Sequence, residues 1–219
     1  ADHAFPESSV LNRHLMKRPL IILAGIAVLL AGLAYRLPAY LRYATPPREA
    51  GAVVLFLGAK TEARGQQAVD LVNAGLGRHL IVPINQALIP VTPPLTAFTP
   101  ASTYHRPAQE AQKRRFPFFV EGTHVEMLAA KDLMDAAGLR SANLVSSPYH
   151  MRRLKIIAER VFGPDYDLAF VPTAYETPDE GFWPASPWDR NWVFPEAVKI
   201  LWFWLYEPVY WMFSGGESR

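Results

Sequence analysis

The sequence Ala-Val-Val-Leu-Phe-Leu-Gly at residues 52–58 is the stretch that decides the fold class. A continuous run of apolar and β-branched residues that ends at a glycine is typical of a strand buried on both faces, as in parallel sheets. Residues 61–74 then have helical spacing, with Ala68 and Leu71 on one side and Gly75 as a stop. This stretch therefore predicts a strand followed by a helix, the first half of a βαβ unit.

The same alternation continues along the chain. We predict further strands at residues 79–84, 118–121, 142–146 and 167–172, and further helices at residues 123–137 and 148–162. Strands that alternate with helices imply a mostly parallel sheet with helices on both faces. The predicted fold is therefore α/β, with a doubly wound, mostly parallel five-stranded sheet in a Rossmann-like three-layer sandwich over residues 50–175.

Two proline-rich stretches interrupt this pattern, at residues 85–117 and residues 173–195. The first has no clean period and is long for a loop in a compact domain. It follows the carboxyl end of a predicted strand. Three interpretations of this stretch therefore remain: a lid, an arm that binds a partner, or a surface insertion. The second contains three tryptophans and leads to the C-terminal segment.

Composition excludes several function classes. Half of the 219 residues are hydrophobic, which excludes a disordered chain, and the net charge of only +2 gives no support for a nucleic-acid partner. The absence of cysteine excludes disulfides, thiol catalysis and cysteine-based zinc sites. The histidines lack metal-ligand spacing, and neither a phosphate-binding glycine fingerprint nor a GxSxG motif occurs. We therefore predict no metal and leave the cofactor open.

An uncharged apolar segment lies near the N-terminus, at Leu20–Ala34. With its flanking residues it reaches the short end of what spans a bilayer, and basic residues precede it. We predict an uncleaved anchor at residues 19–36, with a cleavable signal and a buried core helix as alternatives. As many basic residues follow the segment as precede it. The short tail at residues 1–18 favours a cytoplasmic N-terminus and an extracytoplasmic main domain, on a single-pass protein of the inner (cytoplasmic) membrane.

Aromatic residues crowd the other end of the chain, where residues 202–213 contain seven of them. Tryptophan and tyrosine concentrate at membrane–water interfaces. Residues 198–213 are too short to span a membrane and are predicted either to cover the sheet or to lie on the bilayer as an interfacial helix. This segment and residues 85–117 are the candidate contacts for a membrane-protein partner.

Polar residues follow the carboxyl ends of several predicted strands, where ligands bind in open α/β sheets. The candidate ligand-binding residues are Gly58, Lys60, Arg64, Glu121, Thr123, Ser147, Tyr149, Arg152 and Arg153, and the candidate catalytic residues are His150 and Glu126. Three helix N-termini also point to this edge, and each favours an anion. We therefore predict a phosphate or diphosphate ligand there.

Several of these residues also have purely structural interpretations. Thr123 and Glu126 have the spacing of a capping box, and Ser147 before Pro148 has the pattern of a helix N-cap. Arg152 and Arg153 are also consistent with a solvated face, and His150 with a hydrogen-bonded structural histidine.

The same residues carry a family resemblance. The motifs are VVLFLG at residues 53–58, Arg64-x3-Ala68-x2-Leu71, Glu121-Gly-Thr123-x2-Glu126 and SSPYHMRRL at residues 146–154. Their order and spacing over residues 50–175 resemble the YdcF-like family, which includes the SanA and ElyC envelope proteins. Leu154 stands where the family usually has alanine, and the first loop has fewer glycines than in many relatives. The resemblance implies a doubly wound α/β fold and a role in cell-envelope, peptidoglycan or lipid-carrier metabolism.

Two functions of different classes follow. In the first, the chain binds or processes a phosphorylated envelope precursor, such as a lipid-linked peptidoglycan or polysaccharide precursor. There His150 is the candidate acid or base, Arg64 and Arg153 bind phosphate oxygens, and Glu126 or Glu121 positions a water. In the second, the chain is a non-catalytic assembly factor of a membrane complex. A nucleotide- or S-adenosylmethionine-type binder is a further alternative, and whether the protein is an enzyme stays open.

Overall fold

The structure, a computed structural model, describes residues 8–58, 61–96, 110, 114–178, 183–184 and 186–213, without the side chains of residues 8–18, 188 and 213. The chain divides after Leu37 into two units. Lys60, the first seven residues and most of residues 97–113 lie outside the described part, so the predictions made for them stay predictions.

The first helix, α1 (Ser8–Leu41), contains the predicted anchor. Its stretch Pro19–Leu41 has 23 residues, and the most apolar 18-residue window in it has a mean hydropathy of 2.3 and is not buried. A helix of that length is about 35 Å long, which matches the hydrocarbon core of a bilayer. By length and composition it is long enough and apolar enough to cross a membrane. The helix continues past Arg36, so the candidate span ends at Leu41 and not at the predicted residue 36.

The second unit contains a five-stranded mixed sheet. Its strands are β1 (Ala52–Leu55), β2 (His79–Val82), β3 (Ala87–Pro90), β4 (Ser141–Ser146) and β5 (Asp167–Pro172). They lie in the order β3-β2-β1-β4-β5. All neighbours are parallel except β2 and β3, which are antiparallel. The prediction of an α/β fold with a mostly parallel five-stranded sheet is confirmed.

One strand is not where the sequence predicted it. Residues 118–121 were predicted to form a strand but form turns before a helix, and Phe118 is fully exposed. The strand that the sequence did not predict is β3, which lies inside the proline-rich stretch at residues 85–117. A short 3-10 helix, Pro83–Asn85, and Gln86 with a φ of 52° reverse the chain between β2 and β3. A tight antiparallel hairpin of this kind needs no crossover helix, so the alternation of strands and helices gives no sign of it.

Four helices of the second unit lie within the described residues. They are α2 (Thr61–Asn73), α3 (Gly122–Ala136), α4 (Met151–Val161) and α5 (Pro187–Phe213). One core cluster joins the buried side of α2, including Leu71 and Val72, to alternate residues of the strands, among them Val53, Leu55 and Val145. The other residues of the same strands, such as those on either side of Val53, are also buried. The strands are therefore covered on both faces, as their continuous apolar sequences predict.

Helix α5 begins eleven residues before the predicted segment at 198–213 and has two faces. Its inner face is buried and includes Val193, Glu196, Ile200, Phe203 and Tyr206. Its outer face is exposed and apolar, and consists of Phe194, Val198, Leu201, Trp202, Leu205, Val209 and Met212. The spacing of both sets, three or four residues, is that of one helix with two distinct sides.

Candidate functional site

Buried polar side chains concentrate at the carboxyl edge of the sheet, beyond the ends of β1, β4 and β5. We call this group the rim cluster; its members are Arg64, Glu121, Thr123, Ser146, Ser147, His150, Arg153, Glu176 and Glu196. Polar groups are buried in native proteins when they are hydrogen-bonded, so the partners of each member define what the cluster can do.

Arg64 lies on the first turn of α2 and reaches back over the end of β1. Its Nη1 donates to the backbone oxygen of Phe56 at 2.8 Å, and its Nε donates to Ser147 Oγ at 3.0 Å. The guanidinium passes so close to Gly58 that a Cβ there would stand 2.6 Å from Nη1. A side chain at position 58 would therefore have to displace the Arg64 guanidinium from this position.

A carboxylate completes this half of the cluster. The Ser147 hydroxyl donates to Glu176 Oε1 at 2.7 Å, and the same oxygen is 4.0 Å from Nε of Arg64. Burial lowers the pKa of Arg64, an effect opposed by the negative charges of Glu176 and Glu126. Arg64, Ser147 and Glu176 thus form a chain from cation to hydroxyl to carboxylate, with Glu126 close enough to act on the cation.

Arg153, on α4, occupies the other half of the cluster and is 3% exposed. Its Nε and Nη2 donate to the two carboxylate oxygens of Glu196, at 2.7 and 3.0 Å. Its Nη1 donates to Glu121 and, at 2.7 Å, to Thr123 Oγ1. Burial lowers the pKa of Arg153, but Glu196 and Glu121 outweigh burial and the pKa is raised. The paired arrangement with Glu196 fixes the plane of the guanidinium.

His150 is buried between two hydroxyl groups. Its Nδ1 is 2.8 Å from Ser146 Oγ and its Nε2 is 3.3 Å from Thr123 Oγ1. Burial lowers the pKa of His150 well below its usual value, and the positive charges of Arg153 and Arg64 lower it further. The imidazole is therefore neutral at pH 7 and connects the end of β4 to Thr123. Its predicted role as an acid or base stays a prediction.

The capping box predicted for Thr123 and Glu126 is wrong. The N-cap of α3 is Glu121, and no side chain caps this helix end. The Thr123 hydroxyl instead bonds to Arg153 and His150, because α3 starts at Gly122, so that Thr123 already lies within the helix. Ser147 does precede a short 3-10 helix, Pro148–His150, but its hydroxyl also makes no cap and bonds to Arg64 and Glu176.

Two other predicted ligand-binding residues lie elsewhere. Tyr149 is buried, and its hydroxyl donates to Asp189 of α5 at 2.9 Å. Arg152 donates from Nε to the backbone oxygen of Tyr40 at 2.8 Å, and its guanidinium lies over the rings of Tyr40 and Tyr43. Successive helical residues point about 100° apart, which separates Arg152 from its neighbour Arg153 in the rim cluster.

The sequence analysis missed the two carboxylates that complete the cluster. Glu176 follows β5, and Glu196 lies on the inner face of α5, 43 residues from its partner Arg153. Lys199 donates to Glu196 Oε1 at 3.2 Å from one turn further along. One signal existed: Glu196 and Lys199 are charged residues within an apolar helix, on the side that carries the aromatic residues Phe203 and Tyr206.

The described part of the cluster leaves little open space. A cavity of about 10 Å³, lined by residues that include Ser147, Glu176 and Trp192, borders it. That volume holds about one water molecule. Within the described ranges, no group of three or more histidine, aspartate or glutamate side chains is placed to hold a metal ion. Chemically, the cluster offers two guanidinium groups, a neutral imidazole and the carboxylates that contact the two guanidinium groups.

Comparison with known proteins adds no assignment. The chain matches no protein-family model, and no curated protein and no solved structure matches it.

Proposed function

We propose that this chain is a membrane-anchored protein whose second unit binds a phosphate-containing ligand at the rim cluster. The observation that carries the proposal is the burial of two arginines, Arg64 and Arg153, each 3% exposed, at the carboxyl edge of the sheet. Ligands of open α/β sheets bind at this edge, and arginine is the side chain best suited to bind phosphate oxygens.

Stability alone does not explain these charges. Replacing a buried ion pair by apolar residues of similar volume is often neutral or stabilising, so such pairs are weak evidence for a stabilising role. Buried and electrostatically perturbed groups cluster at functional sites instead. Arg64 and His150 both have lowered pKa values from burial at the same edge.

Glu176 is the group that the ligand would replace. It is half of a long ion pair with Arg64, at 4.0 Å, and accepts a hydrogen bond from Ser147. A phosphate oxygen in the same place would accept from both residues. On this proposal Glu176 occupies the anion position until a ligand arrives, and Glu196 keeps Arg153 fixed throughout.

On this proposal, the anchor and the C-terminal helix hold the site near a membrane. The proposal includes α1 as an uncleaved anchor in the inner membrane, with the second unit outside the cytoplasm, and α5 as an interfacial helix whose apolar face meets lipid. The aromatic content and exposed apolar residues of α5, such as Leu201 and Leu205, support this position.

The motifs that resemble the YdcF-like family support a more specific version. On this version the fold is doubly wound and Rossmann-like, the chain works in the cell envelope, and the ligand is a lipid-carrier-linked peptidoglycan or polysaccharide precursor. The motif Tyr149-His150-Met151-Arg152-Arg153 supplies Arg153 and His150 to the rim cluster.

A second candidate function, a non-catalytic assembly factor, rests on a different observation. The outer face of α5 exposes seven large apolar side chains, an area that also suits a membrane-protein partner. In that case the rim cluster would be an internal brace that holds α5 against α4.

Thermal melting of the detergent-purified full chain separates the two functions. We expect pyrophosphate and farnesyl diphosphate, a short lipid-like diphosphate, to raise the melting temperature, and Glu176→Gln to strengthen the effect because it removes the competing charge. Arg64→Gln should abolish the effect, whereas Arg140→Gln, at an exposed site paired with Asp135, should not. No shift with either compound in the wild type and in Glu176→Gln would contradict phosphate binding and favour the assembly factor.

A further inference from the structure

We infer that a patch of cations and tyrosines on the first turns of α4 and at the end of the apolar span binds the anionic headgroups of a lipid bilayer. The patch consists of Tyr40, Arg42, Tyr43, Arg152 and Lys155. It is distinct from the rim cluster and rests on the proposed anchor, because only a membrane-inserted span places these residues at a bilayer surface.

The position of the patch along the chain supports this inference. The apolar span ends at Leu41, so Tyr40 and Tyr43 lie within one helical turn of its end. Tyrosine is enriched at that depth, where the ring contacts the acyl region and the hydroxyl contacts headgroups. Leu41, the last residue of the apolar span, is itself completely buried in the second unit.

The contacts of Arg152 leave it able to bind a phosphate group. Its Nε bonds to the backbone oxygen of Tyr40, and its guanidinium lies 4.6 and 4.7 Å from the ring centres of Tyr40 and Tyr43. Among the residues that the structure describes, no carboxylate forms an ion pair with Arg152. A guanidinium held by ring stacking and a single backbone bond keeps its terminal N–H groups for a ligand.

The charge of the patch points to an anionic surface. Lys155 lies 5.4 Å from the Tyr43 ring centre and pairs with Glu159, and Arg42 is exposed next to Leu41. Within the described residues, these three cations make one ion pair with a carboxylate, that of Lys155 with Glu159. Basic residues close to the end of a span bind anionic lipid with about 1 kcal/mol each. The same charge excess would be of no use against an uncharged lipid surface.

Lipid selectivity of the reconstituted full chain tests the inference. The protein is inserted into phosphatidylcholine vesicles with 20 mol% phosphatidylglycerol, and electron paramagnetic resonance compares its association with spin-labelled forms of the two lipids. We expect the wild type to prefer phosphatidylglycerol and Arg152→Gln to reduce that preference by up to about fivefold. Lys155→Gln should act in the same direction, which keeps the test valid if one variant folds poorly.

The control is Arg78→Gln, because Arg78 is highly exposed, pairs with Glu49 and lies before β2 at the opposite edge of the sheet. It should keep the wild-type preference, and 0.5 M salt should weaken that preference in every protein that shows it. An unchanged lipid preference in both Arg152→Gln and Lys155→Gln overturns the inference. The inference is also overturned if the two substitutions change the oligomeric state of the protein instead of its lipid preference. Failure of the protein to remain in vesicles after alkaline washing would instead refute the proposed anchor.

Discussion

The hydroxyl group of Thr123 joins the Arg153 half of the site to His150. It accepts a hydrogen bond from Arg153 and bonds to His150, so its removal affects both. Thr123→Val keeps the shape and removes the hydroxyl, and we expect it to lower the free energy of unfolding by about 1–3 kcal/mol. Thr123→Ser keeps the hydroxyl and is the matched control. Equal chemical-denaturation midpoints for the two variants would show that the hydroxyl contributes nothing.

His124 gives the protein a specific pH dependence. It is completely buried among Phe203, Tyr206 and Tyr210, and burial lowers its pKa to about 4. The unfolded chain, in which histidine titrates near 6.5, therefore binds more protons than the folded chain between those values. The free energy of unfolding therefore falls as the pH drops from 6.5 to 4, by up to about 1.4 kcal/mol per pH unit for this residue.

The variant His124→Phe isolates this contribution, because it keeps the ring contacts and removes the titrating group. As the pH falls from 6.5 to 4, we expect the wild type to lose more unfolding free energy than the variant does. Denaturation curves at several pH values measure it. Parallel pH profiles for the two proteins would contradict the assignment.

At the scale of the elements, the pair Arg153–Glu196 joins α4 to α5. Removal of one partner leaves a buried charge with fewer contacts, so Glu196→Ala should cost about 3–5 kcal/mol of stability. The double variant Arg153→Met/Glu196→Leu should recover most of that loss and yet lose the thermal response to pyrophosphate. Recovery of stability with an unchanged pyrophosphate response would show that the pair serves structure alone.

The outer face of α5 can be tested by single-cysteine labelling, since the chain contains no cysteine of its own. A spin label at Leu205→Cys, where the native side chain is 70% exposed, should be reached by lipid-soluble oxygen more readily than by a water-soluble nickel complex in the vesicle-bound protein. A label at Ala74→Cys, an exposed site after α2, should give the opposite ratio. The same ratio at both positions would exclude an interfacial α5.

How far the sequence predicts these elements depends on the length of the pattern. The run at residues 52–57 and the helices after β1 and β4 were predicted because their periodicity is long and local. Strand β3 was missed because a four-residue hairpin strand among prolines has no period of its own. Glu196 was missed because its pairing with Arg153 depends on how α5 packs, which local patterns do not encode. The hydroxyl of Thr123 was assigned to a cap because the true start of α3 differs by a residue or two from the predicted start.

For the whole molecule, topology is the first property to measure. The proposal places the second unit outside the cytoplasm, so alkaline phosphatase fused after Arg219 should be active in bacterial cells and a cytoplasmic reporter at the same site should not. Residues 19–41 should also keep the protein in the membrane fraction at alkaline pH. The reverse reporter pattern would be consistent with the anchor but would show that the second unit faces the cytoplasm.

Arg152 and Arg153 are neighbours on one short helix, yet the first is proposed to meet lipid and the second is fixed in the rim cluster. A small displacement of α4 therefore changes both environments together. If two ligands each favour one position of the same helix, their affinities are thermodynamically linked and the linkage is reciprocal. Membrane composition would then act as an effector: pyrophosphate should bind with different affinity in neutral and in anionic nanodiscs, and its binding should change lipid selectivity by the same factor.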